Sequence, residues 1–192
     1  MAMDFDVFDQ KLQKTISFAK VSFERDVEMI HSWMNEEHVH PFWQLNIPIN
    51  SFRSHLQKAL KDTHQTLYLG FINEVPISYW EAYWVKEDII EGSYENKPYD
   101  QGIHLLIGHK DYLGRGYSLH LLRAMVSMQL KEKRTERIVA EPDIRNKKMI
   151  HIFEKCGFTP QKPIILPDKT GLLMICERKQ FERKWGNARI HL

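Results

Sequence analysis

A turn with two glycines and an arginine, Gly114-Arg115-Gly116, is the first stretch whose residue types and spacing could do chemistry. The pattern predicts a strand before this turn and an apolar helix after it. Glycine lets the backbone bend sharply and approach a ligand closely. The first N–H groups of a helix have no partner within the helix and carry a partial positive charge. The turn is therefore suited to an anion such as a pyrophosphate, and Arg115 could add a contact to phosphate or simply be solvated.

Two titratable side chains lie on the strands expected beside that turn. His104 falls in a predicted strand over 100–108, and a histidine, with an ordinary pKa near about 6.5, can accept a proton at neutral pH. A single histidine in an apolar strand can equally be a core residue. Asp143 follows a predicted strand over 137–141. It could orient an imidazole, hold an amine nitrogen, or cap the helix that begins near Asn146.

Hydrophobic periodicity predicts the elements that position these residues. The predicted order is strand, two helices, three strands, helix, strand, helix and two strands, which indicates a mixed α/β (α+β) domain. We expect this single domain over 15–185, with a loosely held arm over 1–14 and a tail over 186–192. The predicted strands cover 14–23, 66–72, 75–85, 100–108, 137–141, 158–166 and 171–178, and the predicted helices cover 25–35, 49–61, a stretch after the glycine turn, 146–156 and 181–185.

The composition is that of an ordinary globular protein, with 43% hydrophobic and 27% charged residues in 192. A net charge of +2 and scattered basic residues argue against a nucleic-acid partner. The acidic N-terminus does not resemble a signal peptide, and no apolar run approaches the roughly 20 residues that span a bilayer. We therefore expect a cytoplasmic protein without a membrane partner. A monomer is preferred because no heptad pattern is present.

No pattern in the sequence indicates a metal site. The two cysteines, Cys156 and Cys176, do not form a Cys-x-x-Cys pair, so neither a zinc site nor a redox dithiol is indicated. Their number fits a reducing compartment. His38 and His40 have no third ligand near them in the sequence. We expect no metal cofactor.

Two segments resemble the signatures of the GNAT superfamily of N-acetyltransferases. Its acetyl-CoA signature is similar to Tyr112-Leu113-Gly114-Arg115-Gly116-Tyr117-Ser118, and its second signature to Asn146-Lys147-Lys148-Met149-Ile150-His151-Ile152-Phe153-Glu154-Lys155-Cys156-Gly157-Phe158. Leu113 departs from the usual Gln or Arg, and Ser118 from the usual Gly or Ala. The resemblance implies a mostly antiparallel central sheet flanked by helices, with a splayed strand pair at the acyl-CoA site. It implies that acetyl-CoA or another acyl-CoA is bound by Ile107, Leu113, Gly114, Arg115, Gly116, Tyr117, Ser118, Asn146 and Phe153.

A narrower resemblance covers 15–185 and is carried by three segments. They are Tyr79-Trp80-Glu81-Ala82-Tyr83-Trp84, the strand over 100–108, and Glu141-Pro142-Asp143-x-x-Asn146. These are similar to the siderophore-biosynthetic branch of the superfamily, which acylates the side-chain amine or hydroxylamine of lysine-like or diamine building blocks. The resemblance implies that His104 and Asp143 are catalytic. His104 would act as general base, and a backbone N–H near Ile107 could stabilise the thioester oxyanion.

Three residues are candidates for contact with the acceptor. Trp43 lies in an aromatic, histidine-containing loop over 38–44, and either lines the acceptor pocket or packs under the next helix. Glu81 could bind a cationic acceptor or be exposed at a sheet edge, and Tyr83 lies on the same aromatic strand. Cys156 is expected on a buried helix stripe, which argues against a thiol nucleophile and favours direct acyl transfer.

Two other functions stay open from the sequence. One is an aminoglycoside-type or protein N-acetyltransferase of the same superfamily. The other is a non-catalytic, regulatory module that binds acyl-CoA, in which His104 points into the core. The balanced charge, without an acidic run, does not favour a polycationic acceptor.

Overall fold

The structure, a computed structural model, describes residues 2–186. The predicted C-terminal tail lies outside the described residues from 187 onward. The described strands are β1 Phe5–Asp9, β2 Lys14–Lys20, β3 Gln65–Ile72, β4 Val75–Trp84, β5 Gln101–Ile107, β6 Arg137–Ala140, β7 Thr159–Ile165 and β8 Thr170–Glu177. The described helices are α1 Phe23–Met34, α2 His40–Trp43, α3 Ile49–Lys61, α4 Tyr117–Gln129, α5 Lys147–Cys156 and α6 Arg178–Trp185.

The strands follow the order β1-β2-β3-β4-β5-β6-β8-β7. The pairs β1–β2, β2–β3, β6–β8 and β7–β8 are antiparallel, and β5–β6 is parallel. The predicted mixed, mostly antiparallel sheet with helices is therefore confirmed. The predicted strands and long helices are present with small shifts at their ends, and one helical turn, α2, stands where the sequence indicated a loop.

The N-terminal arm is the element that the sequence analysis placed wrongly. Residues 5–9 form β1, which pairs with β2 in the register Phe5 to Phe18 and Val7 to Ile16. Phe5 and Val7 are each 3% exposed. The alternation of Asp and apolar residues is a strand pattern. It spans only five residues, and the acidic side chains between the apolar ones are also typical of a solvated arm.

The described chain divides into two compact units. The first holds the residues up to Glu81 together with Leu105–Arg115, and the second holds Ala82–His104 together with the residues from Gly116 onward. β4 and β5 therefore contribute residues to both units. In the first unit, α1 and α3 pack their apolar stripes on β2 and β3, around residues such as Ile30, Phe52 and Leu69.

The second unit contains the segment over 85–100, the helices α4 to α6 and the strands β6 to β8. Val85, Ile90 and Tyr94 of that segment pack on Val139 of β6 and Ile175 of β8. The segment over 86–100 is irregular apart from one 3₁₀ turn, and it covers a sheet face. The core of this unit fixes the strand ends that carry the site.

Candidate active site

β5 and β6 separate at the position where His104 lies. They run side by side for two residue pairs, Gln101 with Ile138 and Gly102 with Val139. Among the described residues, the next position of β5 has no partner on β6. Because side chains alternate along a strand, His104 and Glu141, each two residues beyond the Gly102–Val139 pair, point to the same face. There His104 Nε2 and Glu141 Oε1 form a hydrogen bond.

A tyrosine from β4 completes the contacts of the carboxylate. The hydroxyl of Tyr83 donates to Glu141 Oε2 at 2.7 Å, and its ring lies 4.9 Å, centroid to centroid, from the imidazole of His104. Tyr83 reaches across β5 because Gly102 has no side chain: a Cβ there would overlap the Tyr83 ring and hydroxyl. The glycine therefore lets β4 supply a hydrogen-bond donor to a residue that follows β6.

The carboxylate of Glu141 is ionised although it is buried. Burial acts to raise the pKa of Glu141, but the charge and hydrogen bond of His104, the charge of Lys169 and the hydroxyl of Tyr83 more than offset this effect and lower the pKa to about 2. The Lys169 Nζ lies 3.7 Å from Glu141 Oε1. An ionised carboxylate only accepts hydrogen bonds, so Nε2 of His104 carries the proton that they share. In the neutral ring Nδ1 then bears the basic lone pair, and the His104 side chain is 32% exposed.

Asp143, the other predicted catalytic residue, is held by Arg145. The guanidinium binds both carboxylate oxygens, with Nε 2.9 Å from Oδ1 and Nη2 2.6 Å from Oδ2. These hydrogen bonds lower the pKa of Asp143. The imidazole of His104 donates its hydrogen bond to Glu141 and not to Asp143. The sequence analysis did not single out Glu141 as a site residue. The signal that could have found it is strand register, since a parallel partner for His104 falls on position 141.

The start of α5 shows which residue caps that helix. The side chain of Asn146 accepts a hydrogen bond from Met149 N at 3.1 Å, so Asn146, and not Asp143, is the cap. Phe153, predicted to contact the cofactor, is 2% exposed and packs edge-on against Phe158. The structure thus places Phe153 in the core, because it lies on the buried stripe of an amphipathic helix.

The glycine turn has the backbone shape that its sequence predicts. Gly114 and Gly116 have φ angles of +70° and +80°, which favour glycine. For either residue, no described heavy atom outside the glycine and its two chain neighbours lies within 4 Å of the place that a Cβ would take. Leu113 and Arg115 are exposed beside them.

The first turn of α4 follows directly and includes Tyr117 and Ser118. Within the described chain, no side chain caps α4 and no acidic residue lies in its first turn. At the start of α5, by contrast, the side chain of Asn146 accepts one of the first N–H groups, so the start of α4 is the better suited of the two to an anion.

The backbone at Ile107 is oriented by hydrogen bonds within the first unit. Gly108 N and His109 N both donate to Ile77 O of β4, at 2.8 and 3.2 Å. These bonds fix the backbone directly after Ile107, the last residue of β5. His38 Nε2 donates to Ile107 O at 2.7 Å, so this histidine, which had been considered as a weak metal ligand, supports the end of β5.

Two of the predicted acceptor-binding residues, Trp43 and Glu81, both contact Tyr79 in the first unit. Trp43 packs edge-on against Tyr79 with ring centroids 5.6 Å apart, and the Tyr79 hydroxyl donates to Glu81 Oε1 at 2.9 Å. β4 is an interior strand, so the idea that Glu81 is exposed at a sheet edge is wrong. Tyr83 belongs to the second unit and is 3% exposed.

Two further features bear on the chemistry. Cys156 is fully buried, and burial raises the pKa of its thiol well above the ordinary value, which disfavours a thiolate nucleophile. A cavity of about 500 Å³ is lined by Tyr94, Lys97, Arg137, Lys162 and other residues of the second unit. His104, Glu141 and Tyr83 are not among the residues that line this cavity.

Two other kinds of feature are absent from the described residues. No group of three or more His, Cys, Asp or Glu side chains among residues 2–186 is arranged to hold a metal ion. In the same part of the chain, no helix combines the length and the apolar composition needed to cross a membrane.

Comparison with protein families gives a match over most of the chain. Residues 22–166 match the family model described as an acetyltransferase (GNAT) domain. The chain is 29% identical over 180 residues to an N(6)-hydroxylysine O-acetyltransferase of Escherichia coli, covering 93% of this chain and 57% of that protein. It is 29% identical over 179 residues to an N-hydroxyputrescine acetyltransferase of Acinetobacter baumannii, covering 91% and 84%. It is 33% identical over 133 residues to the lysine N-acyltransferase MbtK of Mycobacterium tuberculosis, covering 69% and 63%.

Solved structures show the same fold. A crystal structure of an uncharacterized protein from Bacillus halodurans superposes with a TM-score of 0.94 at 56% identity, covering 96% of this chain and 95% of that one. The aminoglycoside acetyltransferase AAC(6')-Ib in complex with coenzyme A superposes with a TM-score of 0.78 at 25% identity, covering 88% and 98%. The likeness therefore extends over nearly all of the described chain.

Proposed function

Since the chain belongs to the GNAT acetyltransferase family, we propose that it transfers an acetyl or related acyl group from acyl-CoA to the side-chain nitrogen of a small acceptor. The acceptor is a lysine-like or diamine molecule, as the amine or the N-hydroxylamine, used in siderophore assembly. The observation that carries the proposal is the hydrogen-bonded pair of His104 and Glu141 at the point where β5 and β6 separate. The likeness to the hydroxylysine and hydroxyputrescine acetyltransferases supports this class of acceptor.

The donor is held by the glycine turn and the start of α4. Gly114 and Gly116 let the backbone approach the pyrophosphate, and the first N–H groups of α4, around Tyr117 and Ser118, face it. Arg115 adds a charge-assisted contact to phosphate. Leu113 is exposed directly before the glycine turn. Asn146 caps α5 through its hydrogen bond with Met149 N. Phe153 supports α5 through packing.

The proton of the acceptor nitrogen goes to His104. Glu141 fixes the ring through Nε2, so Nδ1 accepts the proton as the nitrogen attacks the thioester carbonyl carbon. A C–N bond forms, the C–S bond breaks, and the coenzyme A sulfur leaves as a thiolate that takes up a proton. The backbone N–H of Ile107, at the end of β5, is proposed to stabilise the negative charge that develops on the carbonyl oxygen.

Asp143 is proposed to bind the acceptor nitrogen. Its carboxylate is 3% exposed, whereas the side chain of its partner Arg145 is 67% exposed, so an incoming cationic nitrogen can replace an arginine that is already at the surface. Trp43, Glu81 and Tyr83 are proposed to contact the acceptor chain. Asp143→Asn should raise the KM for the acceptor with a smaller effect on the KM for acyl-CoA.

A free-thiol assay tests the proposal. The purified protein is given acetyl-CoA with lysine, N6-hydroxylysine, a diaminopropane, its N-hydroxy form, or an aminoglycoside. Release of thiol with a hydroxylamine or diamine is expected, and His104→Ala should lower kcat by roughly 10²–10⁴-fold while acetyl-CoA still binds. His151→Ala, at an exposed position of α5, should leave kcat unchanged.

The other outcomes separate the competing functions. Turnover with the aminoglycoside alone would favour the second candidate function, an aminoglycoside-type N-acetyltransferase, which the likeness to AAC(6')-Ib supports. Binding of acetyl-CoA without turnover on any acceptor would call for a longer acyl donor. If a series of acyl donors also gives no turnover, the non-catalytic module is the better description.

A further inference from the structure

Lys169 is an almost buried cation beside the carboxylate of the His104–Glu141 pair. It ends the turn between β7 and β8, which is closed by a hydrogen bond from Leu166 N to Lys169 O at 2.9 Å. Its side chain is 14% exposed, and its Nζ lies 3.7 Å from Glu141 Oε1, the oxygen that also binds His104. The ammonium of Lys169 and the imidazole of His104 therefore share one carboxylate oxygen.

The position of Lys169 is fixed by the backbone, because β8 begins directly against the segment over 141–143. Gly171 forms a bridge with Asp143, and Leu172 N donates to Pro142 O at 2.8 Å. A Cβ on Gly171 would lie 3.1 Å from the carbonyl oxygen of Glu141, so only a glycine fits without displacement. The turn that carries Lys169 is thereby held next to Glu141.

We infer that Lys169 is a positioning residue that shares the charge of Glu141 with His104 and so keeps the imidazole unprotonated, and able to act as a base, at neutral pH. This inference rests on the proposed function of His104. A buried carboxylate whose only cationic partner is a histidine favours the imidazolium, and an imidazolium cannot accept a proton. A permanent ammonium beside the same oxygen reduces that preference.

Among residues 2–186, the other charged and titratable groups whose contacts place them near the pair do not provide this balance. Tyr83 of β4 donates a hydrogen bond to Glu141 but is neutral. Asp88 and Tyr94, which act on Tyr83, supply no positive charge. From the segment after β6, Asp143 is compensated by Arg145. Farther along the same sheet face, Asp100 and Arg137 neutralise each other. Lys169 is thus the cation that acts on the Glu141 carboxylate from the β7–β8 turn.

The test is an NMR titration of the His104 imidazole in the 192-residue chain without substrates. Lys169→Met should move the His104 titration upward by about one pH unit, which is the usual size for loss of a nearby charge. Lys169→Gln, which keeps a polar end group, should behave in the same way if the Met variant is unstable. Lys169→Arg should restore the original titration, and Lys162→Met, an exposed lysine on β7, should not change it.

The titration does not depend on turnover, so it separates this inference from the proposed function. Where turnover is present, the acidic limb of the kcat/KM profile should move by the same amount in Lys169→Met and return in Lys169→Arg. An unchanged His104 titration in folded Lys169→Met or Lys169→Gln would overturn the inference. An equal shift in Lys162→Met would also overturn it, because general surface charge would then explain the effect.

Discussion

The ring of Tyr83 occupies the space in which Gly102 would carry a side chain, and this contact brings the Tyr83 hydroxyl to within 2.7 Å of Glu141. The glycine is therefore a structural requirement of the carboxylate that orients His104. Gly102 is needed because it leaves room for the Tyr83 ring, and its own backbone φ is not in the left-handed region.

Gly102→Ala should displace Tyr83, because the new methyl group would overlap the ring and the phenol oxygen. We expect a loss of stability of about 1–3 kcal/mol, the usual cost of overpacking a core, and a fall in kcat of roughly 10- to 100-fold from misplacement of the pair. Denaturant unfolding and the thiol assay measure the two effects. Gly92→Ala is the matched control, since no described atom beyond its chain neighbours lies within 4 Å of that Cβ position. Wild-type stability in Gly102→Ala would contradict the packing.

Glu141→Gln should move the acidic limb of the kcat/KM profile to lower pH. The buried carboxylate stabilises the imidazolium, so its removal lowers the pKa of His104, by about one unit or more. This shift is opposite in sign to the one expected for Lys169→Met. Glu154→Gln, at an exposed position of α5, serves as the control. An acidic limb that moves upward in Glu141→Gln would rule out Glu141 as the partner of the base.

Glu141 should also make the stability of the protein depend on pH in acid. Its pKa is about 2 in the folded protein against roughly 4.3 in an unfolded chain. A folded pKa that is lowered means stability that is present above the unfolded value and is lost as the pH falls through the folded value. The lost contribution is on the order of 3 kcal/mol between about pH 5 and pH 2. Urea unfolding across this range should show a shallower dependence in Glu141→Gln, and equal slopes would argue against the lowered pKa.

Much of this architecture follows from local sequence signals. The positive φ angles at Gly114 and Gly116, the end of α5 at Gly157 and the strand that carries His104 all match the sequence expectations. These features depend on residues close together in the chain, where backbone preference and periodicity are informative.

The partners of the site depend on contacts between distant residues. Glu141 meets His104 across 37 positions, and Tyr83 meets Glu141 across 58. Strand register decides such pairs, and periodicity within one strand does not supply it. The contact of Lys169 with Glu141 could not be predicted for the same reason. The sequence of its turn indicates only a hairpin, and the contact follows from the pairing of β8 with the segment over 141–143.

The buried ion pair of Asp100 and Arg137 should be a main support of the segment that precedes β5. Arg137 Nη2 lies 2.6 Å from Asp100 Oδ2, and the same oxygen accepts hydrogen bonds from the Tyr94 hydroxyl and Lys97 N. Asp100→Asn leaves the guanidinium without its counter-charge, which costs about 3–5 kcal/mol in buried pairs. Thermal and urea unfolding check this loss.

A surface ion pair provides the comparison for that prediction. Glu132 pairs with Arg134, whose side chain is 60% exposed, and an ion pair between exposed side chains contributes little to stability because water screens it. Glu132→Gln should therefore change the free energy of unfolding much less than Asp100→Asn. Equal losses in the two variants would show that the Asp100 pair is no more than a surface interaction.

The glycine turn before α4 should govern the affinity for the donor. Gly114→Ala and Gly116→Ala place a Cβ on backbones with φ of +70° and +80°, where an L-residue costs about 1–2 kcal/mol. If the turn relaxes to avoid that cost, its N–H groups no longer converge on the pyrophosphate. The KM for acetyl-CoA should rise by about tenfold, as a loss of about 1.4 kcal/mol of binding requires, with little change in the KM for the acceptor. Calorimetric titration of coenzyme A gives the same comparison without turnover. Unchanged coenzyme A affinity in both variants, with Gly92→Ala measured alongside, would place the pyrophosphate elsewhere.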